Sequence, residues 1–129
     1  MSRITLDIAE NFAVKMRSIL QMSLTVPINV KTVLRILGVI TSYKPLSDTV
    51  YGLSLRSSDG RFRFMLVNSN STRGRQHFTV AHELYHLYYD ENPHPHFCRE
   101  GMLDESERSA NAFARAFLMP KTALVQLMS

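Results

Sequence analysis

Apolar residues along the chain fall first at helical spacing, then at strand spacing, then at helical spacing again. In residues 6–22 the positions Leu6, Ile8, Phe12, Val14, Met16, Ile19 and Leu20 recur among polar residues with an approximate helical period, which predicts a first helix. A second is expected from residue 26 through Leu37, with Pro27 in its first turn and Gly38 as its stop. Its valines and isoleucines have low intrinsic helix propensity, so core contacts must hold it.

The period then shortens. Residues 39–44, 50–56 and 61–67 are β-prone runs, separated by Pro45-Leu46-Ser47-Asp48 and by Ser57-Ser58-Asp59-Gly60. Asp59-Gly60 predicts a hairpin turn. The run from Arg61 alternates through Phe64 and then stays apolar through Val67, which suits a strand with one face on helices. After a polar loop over 68–74, Phe78, Val80, Ala81, Leu84 and Leu87 return to helical spacing with no Gly or Pro between Gln76 and Glu91. A helix from residue 74 or 75 to 89 is predicted. Asn92-Pro93-His94-Pro95-His96 ends it and opens a loop to Gly101. Asp104, Glu105 and Glu107 favour the start of another helix, through Leu118, and Pro120 opens a last short one over 121–128. The expectation is one α+β domain over residues 1–129: N-terminal helices, a small three-stranded antiparallel sheet, then helices.

Composition narrows the setting. A length of 129 residues suits one domain with a real core. The apolar runs are too short for a membrane span, and the first residues lack the apolar core of a signal peptide. The single cysteine, Cys98, excludes an internal disulfide and fits a reducing compartment, so a cytoplasmic location is expected. The net charge is +4, with Arg56, Arg61, Arg63, Arg73 and Arg75 clustered in the middle third. They read as a solvated surface, or as a face that meets nucleic acid or an acidic protein segment. They do not form a recognisable nucleic-acid module, so direct nucleic-acid binding is not expected.

The candidate chemistry lies in Thr79-Val80-Ala81-His82-Glu83-Leu84-Tyr85-His86, which contains H-E-x-x-H. Two imidazoles four residues apart share one helix face, so both can reach one metal ion while Glu83 stands beside them. The expected arrangement is zincin-like. A catalytic zinc takes three protein ligands and keeps a fourth position for water. Candidates for the third ligand are Glu107, Asp104, Glu105, Glu100, His94, His96 and Cys98. Spacing favours Glu107, which shares a helical stripe with Asn111, Ala114 and Leu118, and whose small neighbours Ala110 and Ala114 allow close helix approach. Asn111, one turn on, is a candidate to support a ligand. Tyr85, Tyr88, His94 and His96 are candidates to stabilise an oxyanion. The substrate is expected to lie extended against a sheet edge, with residues 61–67 as that edge.

Phe78-Thr79-Val80-Ala81-His82-Glu83-Leu84-Tyr85-His86, then Glu107-x-x-Ala110-Asn111-x-Phe113-Ala114, then Leu118-Met119-Pro120 closely resemble the ImmA/IrrE family of metallopeptidases. The match covers about residues 75–120. The resemblance implies Zn²⁺ held by His82, His86 and Glu107, with Glu83 as general base. It also implies site-specific cleavage of a helix-turn-helix transcriptional repressor or antitoxin-like partner, in a prophage, mobile element or stress response. The chain departs from the family at Tyr85, where Gly is common, and at His77, where Arg is common. A Tyr85 that narrows the cleft gives the alternative reading, a metal-dependent module that captures such a regulator without cutting it.

Overall fold

The computed structural model describes residues 3–23, 26, 28–90, 95–102 and 104–119. Its elements run α1 (Arg3–Ile19), α2 (Val30–Leu37), β1 (Ile40–Lys44), β2 (Val50–Arg56), β3 (Arg63–Asn68), α3 (Arg73–Tyr88), β4 (His96–Arg99) and α4 (Glu105–Leu118). No helix among the described residues is long and apolar enough to cross a membrane. The expected final helix over 121–128 lies outside the described residues, as do Pro27, Pro93 and His94.

The α+β expectation holds, but the sheet differs from the expected one. It has four strands in the order β1-β3-β2-β4 and is mixed rather than antiparallel. β2 and β3 form the expected hairpin, with Gly60 at φ +72° in its turn. β1, however, runs parallel to β3, with Ile40 opposite Phe64 and Lys44 opposite Asn68. Residues 45–49 carry the chain past the end of β3 to reach β2. Asn68 fixes this path. Its carboxamide accepts from the Leu46 and Asn70 backbone N–H groups at 3.0 and 2.9 Å and donates to the Ser47 and Val50 carbonyls at 3.0 and 2.8 Å. No residue-level periodicity encodes that choice.

β4 lies within the stretch expected to be a loop. Its four residues pair antiparallel with β2, Cys98 opposite Gly52 and His96 opposite Ser54. Prolines on its N-terminal side concealed it, because they mark irregular chain in sequence while leaving a short edge strand free to form. β3, paired with β1 on one side and β2 on the other, is interior to the sheet, so residues 61–67 cannot be the edge for a substrate. The second helix also starts later than expected, at Val30. Asn29 caps it, accepting from the Thr32 N–H at 3.2 Å, and Gly38 ends it at φ +72°.

α3 is central. It packs on β2 and β3 with one face and on α4 with the other, and α4 packs on α1. Val80, Ala81, Leu84 and Leu87 of α3 join Met65 and Val67 of β3 and Ala110, Phe113, Ala114 and Phe117 of α4 in one buried core. Thr72 caps the N-terminus of α3, accepting from the Arg75 N–H at 3.2 Å. Arg56 donates to the Leu87 carbonyl at 3.1 Å at its other end, where cationic donors complement the helix dipole. Arg17, fully buried on α1, plays the same part for α4, donating to the Phe117 and Leu118 carbonyls at 2.7 and 3.1 Å. Burial lowers its pKa, and the ring of carbonyl acceptors keeps the guanidinium satisfied.

Gly52 sets how closely α3 approaches the sheet. A Cβ there would stand 2.5 Å from the Leu66 carbonyl oxygen and 3.0 Å from Thr79 Cγ2. Gly52→Ala is therefore expected to destabilise the fold by roughly 3 kcal/mol, the upper end for overpacking, in urea unfolding. An unchanged midpoint would show that the seam is looser than it appears. Asn68→Ala, which strands several buried backbone groups, is expected to cost roughly 2–4 kcal/mol in the same assay.

Candidate metal centre

Burial of α3 on both faces brings His82, Glu83 and His86 into the interior, at 3, 0 and 0 % exposure. Helical spacing puts the two imidazoles on one side, and their Nε2 atoms are 3.3 Å apart. α4 supplies the third group. Asp104 caps α4 by accepting from the Glu107 N–H at 2.9 Å, so the first turn is fixed and Glu107 faces inward. Glu107 Oε2 lies 2.7 Å from His82 Nε2, and Oε1 lies 3.4 Å from His86 Nε2. β4 adds His96. Its Nε2 meets Glu107 Oε1, and its Nδ1 lies 2.9 Å from each oxygen of Glu83.

The outer nitrogens are held as firmly as the inner ones. His82 Nδ1 is 2.8 Å from Asn111 Oδ1, and His86 Nδ1 is 2.5 Å from Asp90 Oδ2. Ser106 Oγ donates to the same Asp90 oxygen at 3.0 Å. A carboxylate can only accept, so His86 carries a proton on Nδ1; the Asn111 carbonyl oxygen assigns the same to His82. Each imidazole therefore turns Nε2 toward Glu107.

The carboxylates of the cluster favour the charged forms of His86 and His96. Burial opposes a charge on His96, but Glu107 and Glu83 outweigh it and raise its pKa to about 10. Burial also weighs most on His86, yet Asp90 and Glu107 carry its pKa upward. For Glu107, burial pushes up, while hydrogen bonds to His82, His86 and His96 hold the carboxyl well below the usual carboxylate range. The site stabilises positive charge at its middle, which a divalent cation could supply while releasing the protons.

The donor set fits a metal ion. Ligand atoms of His82, His86, His96 and Glu107 all lie within 4.8 Å of one another. Nitrogen donors about 2.05 Å from a tetrahedral zinc stand roughly 3.3 Å apart. The two Nε2 atoms of α3 already have that separation.

A comparison with known families places this centre. The peptidase M78 family, described as the IrrE N-terminal-like domain, matches residues 36–129. The chain belongs to this family. Among curated proteins no relative matches. The matched region of the M78 domain begins near the end of α2 and includes the whole sheet, α3 and α4, and hence every group of the cluster.

The remaining candidates of the M78 domain fall elsewhere. Tyr85 packs its ring on Phe113 and Tyr89, at centroid distances of 5.9 and 6.2 Å, and meets His86 edge-on. It belongs to the α3–α4 core and does not line the cavity beside the centre. Tyr88 lies under the Arg63 guanidinium, 4.1 Å from its ring centroid. Glu100 and Glu105 are exposed, and Asp104 is the helix cap. Cys98 is buried beside the site, and burial, followed by the charges of Glu83 and Glu107, pushes its thiol pKa up. Asp90 was missed in the sequence. Its position one turn after His86 was the available signal, since i and i+4 residues are neighbours on a helix. Removing it with Asp90→Ala is expected to lower metal affinity roughly 10–100-fold, as outer partners of ligating histidines do, in competition against a chromophoric chelator. Equal affinities for the variant and the unaltered protein would remove Asp90 from the account.

Proposed function

We propose that this M78 domain is a zinc-dependent endopeptidase in which His82, His86 and Glu107 hold the metal. The observation that carries the reading is the convergence of the Nε2 atoms on Glu107, each imidazole fixed from behind, with the fully buried Glu83 carboxylate alongside. Zinc, when bound, polarises a peptide carbonyl and lowers the pKa of a coordinated water to about 7. Glu83 then accepts a proton from the attacking water and passes it to the leaving amine. Asn111 and Asp90 keep the imidazoles in the tautomer that ligates. His96 lies beside both carboxylates, its Nδ1 2.9 Å from each oxygen of Glu83.

A cavity of about 160 Å³ opens onto His82 and Glu107, walled by Tyr51, Arg75, Arg99 and Met102. It offers a route by which a peptide group could approach. β4 is bonded to β2 on one side only, and an extended substrate could add along its outer edge. The substrate we favour is a helix-turn-helix repressor or antitoxin-like partner. A capture module that does not cut is favoured by one observation, the engagement of both Glu83 oxygens by His96.

The test is incubation of the zinc-loaded protein with a helix-turn-helix repressor encoded beside it, read by intact mass. Two product masses that sum to the substrate plus water are expected. Glu83→Gln should retain fold and metal content yet yield no products, and cleavage by that variant would refute the assigned base. Glu107→Ala should lower zinc occupancy. Stable complex formation with an uncut partner would favour the capture module.

A further inference from the structure

The three imidazoles of the centre are treated alike. Each Nδ1 faces an oxygen acceptor: Asn111 for His82, Asp90 for His86 and Glu83 for His96. Each Nε2 faces Glu107. An imidazole that ligates a metal characteristically donates its far N–H to such an acceptor, which bares the near nitrogen. By that criterion His96 is prepared in the same way as His82 and His86. It is only 12 % exposed, and its ring stacks on His86 with centroids 3.5 Å apart.

We propose that His96 is a fourth protein ligand in the free protein, so that the metal centre rests closed and opens only when His96 withdraws. The proposal rests on the peptidase reading of the same site and adds its regulation. A catalytic zinc keeps one position for water or substrate, whereas four protein ligands complete a tetrahedral shell. His96 also occupies both oxygens of Glu83, the group that would have to accept a proton. One side chain thus blocks the open position and engages the base, and its departure releases both.

Its carrier suits that movement. β4 is four residues long and lies at the sheet edge. Its register against β2 is irregular between Val50 and Gly52. His82 and His86, in contrast, are on a helix packed on both faces. Withdrawal of His96 therefore disturbs an edge strand and leaves α3 and α4 in place. A peptide adding along the same edge would be in position to favour the shift.

Zinc K-edge X-ray absorption on the zinc-loaded full chain tests this without any assay of cleavage. The expected shell is three imidazoles and one carboxylate oxygen. His96→Ala should show two imidazoles and a gained water oxygen, with zinc affinity at least about 10-fold lower. In the cobalt-substituted proteins, azide should shift the visible bands of the variant but not those of the unaltered protein. Two imidazoles in the unaltered protein, with an azide response equal to the variant's, would overturn the proposal while leaving the His82–His86–Glu107 peptidase reading intact. Failure of the unaltered protein to take up zinc would end both. The imidazole count of the unaltered protein decides the matter even if the variant does not fold.

Discussion

Three imidazoles and two carboxylates share a space nearly closed to water, and everything else in the fold serves to make that tolerable. A buried charge without partners costs several kcal/mol even after relaxation. His82, His86, His96, Glu83 and Glu107 avoid this penalty because every acid faces an imidazole, and every outer nitrogen faces an oxygen. The arrangement favours positive charge at its middle, and a divalent ion held by His82, His86, His96 and Glu107 could supply it.

Three elements carry these groups, and each is fixed by ordinary packing. α3 is pressed to the sheet at Gly52, where a Cβ has no room, and its apolar residues meet the sheet and α4. α4 is started by Asp104 and finished by Arg17, so Glu107 and Asn111 hold their phase on its inner face. β4 depends on β2, and β2 depends on the path that Asn68 fixes. The arginines that stood out in the composition are partly absorbed by this scaffold. Arg56 holds the end of α3, Arg63 covers Tyr88, and Arg75 lies 4.2 Å from the Tyr51 ring centroid.

What could be read from the sequence follows the range of each interaction. Helical periodicity located α3 and α4 to within a residue or two, and the stripe shared by Glu107 and Asn111 placed both beside His82. These are local signals, repeated over several turns. β1's parallel pairing was hidden because it depends on contacts of Asn68 with residues more than fifteen positions away. β4 was hidden because four residues are too few for a period and prolines precede them. With β4 went His96, which sequence could offer only as one histidine of a proline-flanked pair. Asp90 lay one turn beyond His86 and went unread, since the motif ends at the second histidine. Tyr85 drew attention as the odd letter of that motif. Its ring turned out to serve the core, against Phe113, so its size bears on the α3–α4 contact and not on the cavity.

Membership of the M78 family over residues 36–129 and the His/Glu cluster within that region point to the same chemistry. The central question is whether that cluster is a single-ion site. Native mass spectrometry of the zinc-reconstituted protein, paired with its thermal unfolding before and after chelation, tests this most directly. The account predicts one zinc per chain and a melting temperature that falls on chelation and returns with zinc, since a ligand at 100 times its Kd stabilises by about 2.7 kcal/mol. A chain that retains no zinc, and melts at the same temperature with or without chelator, would contradict it.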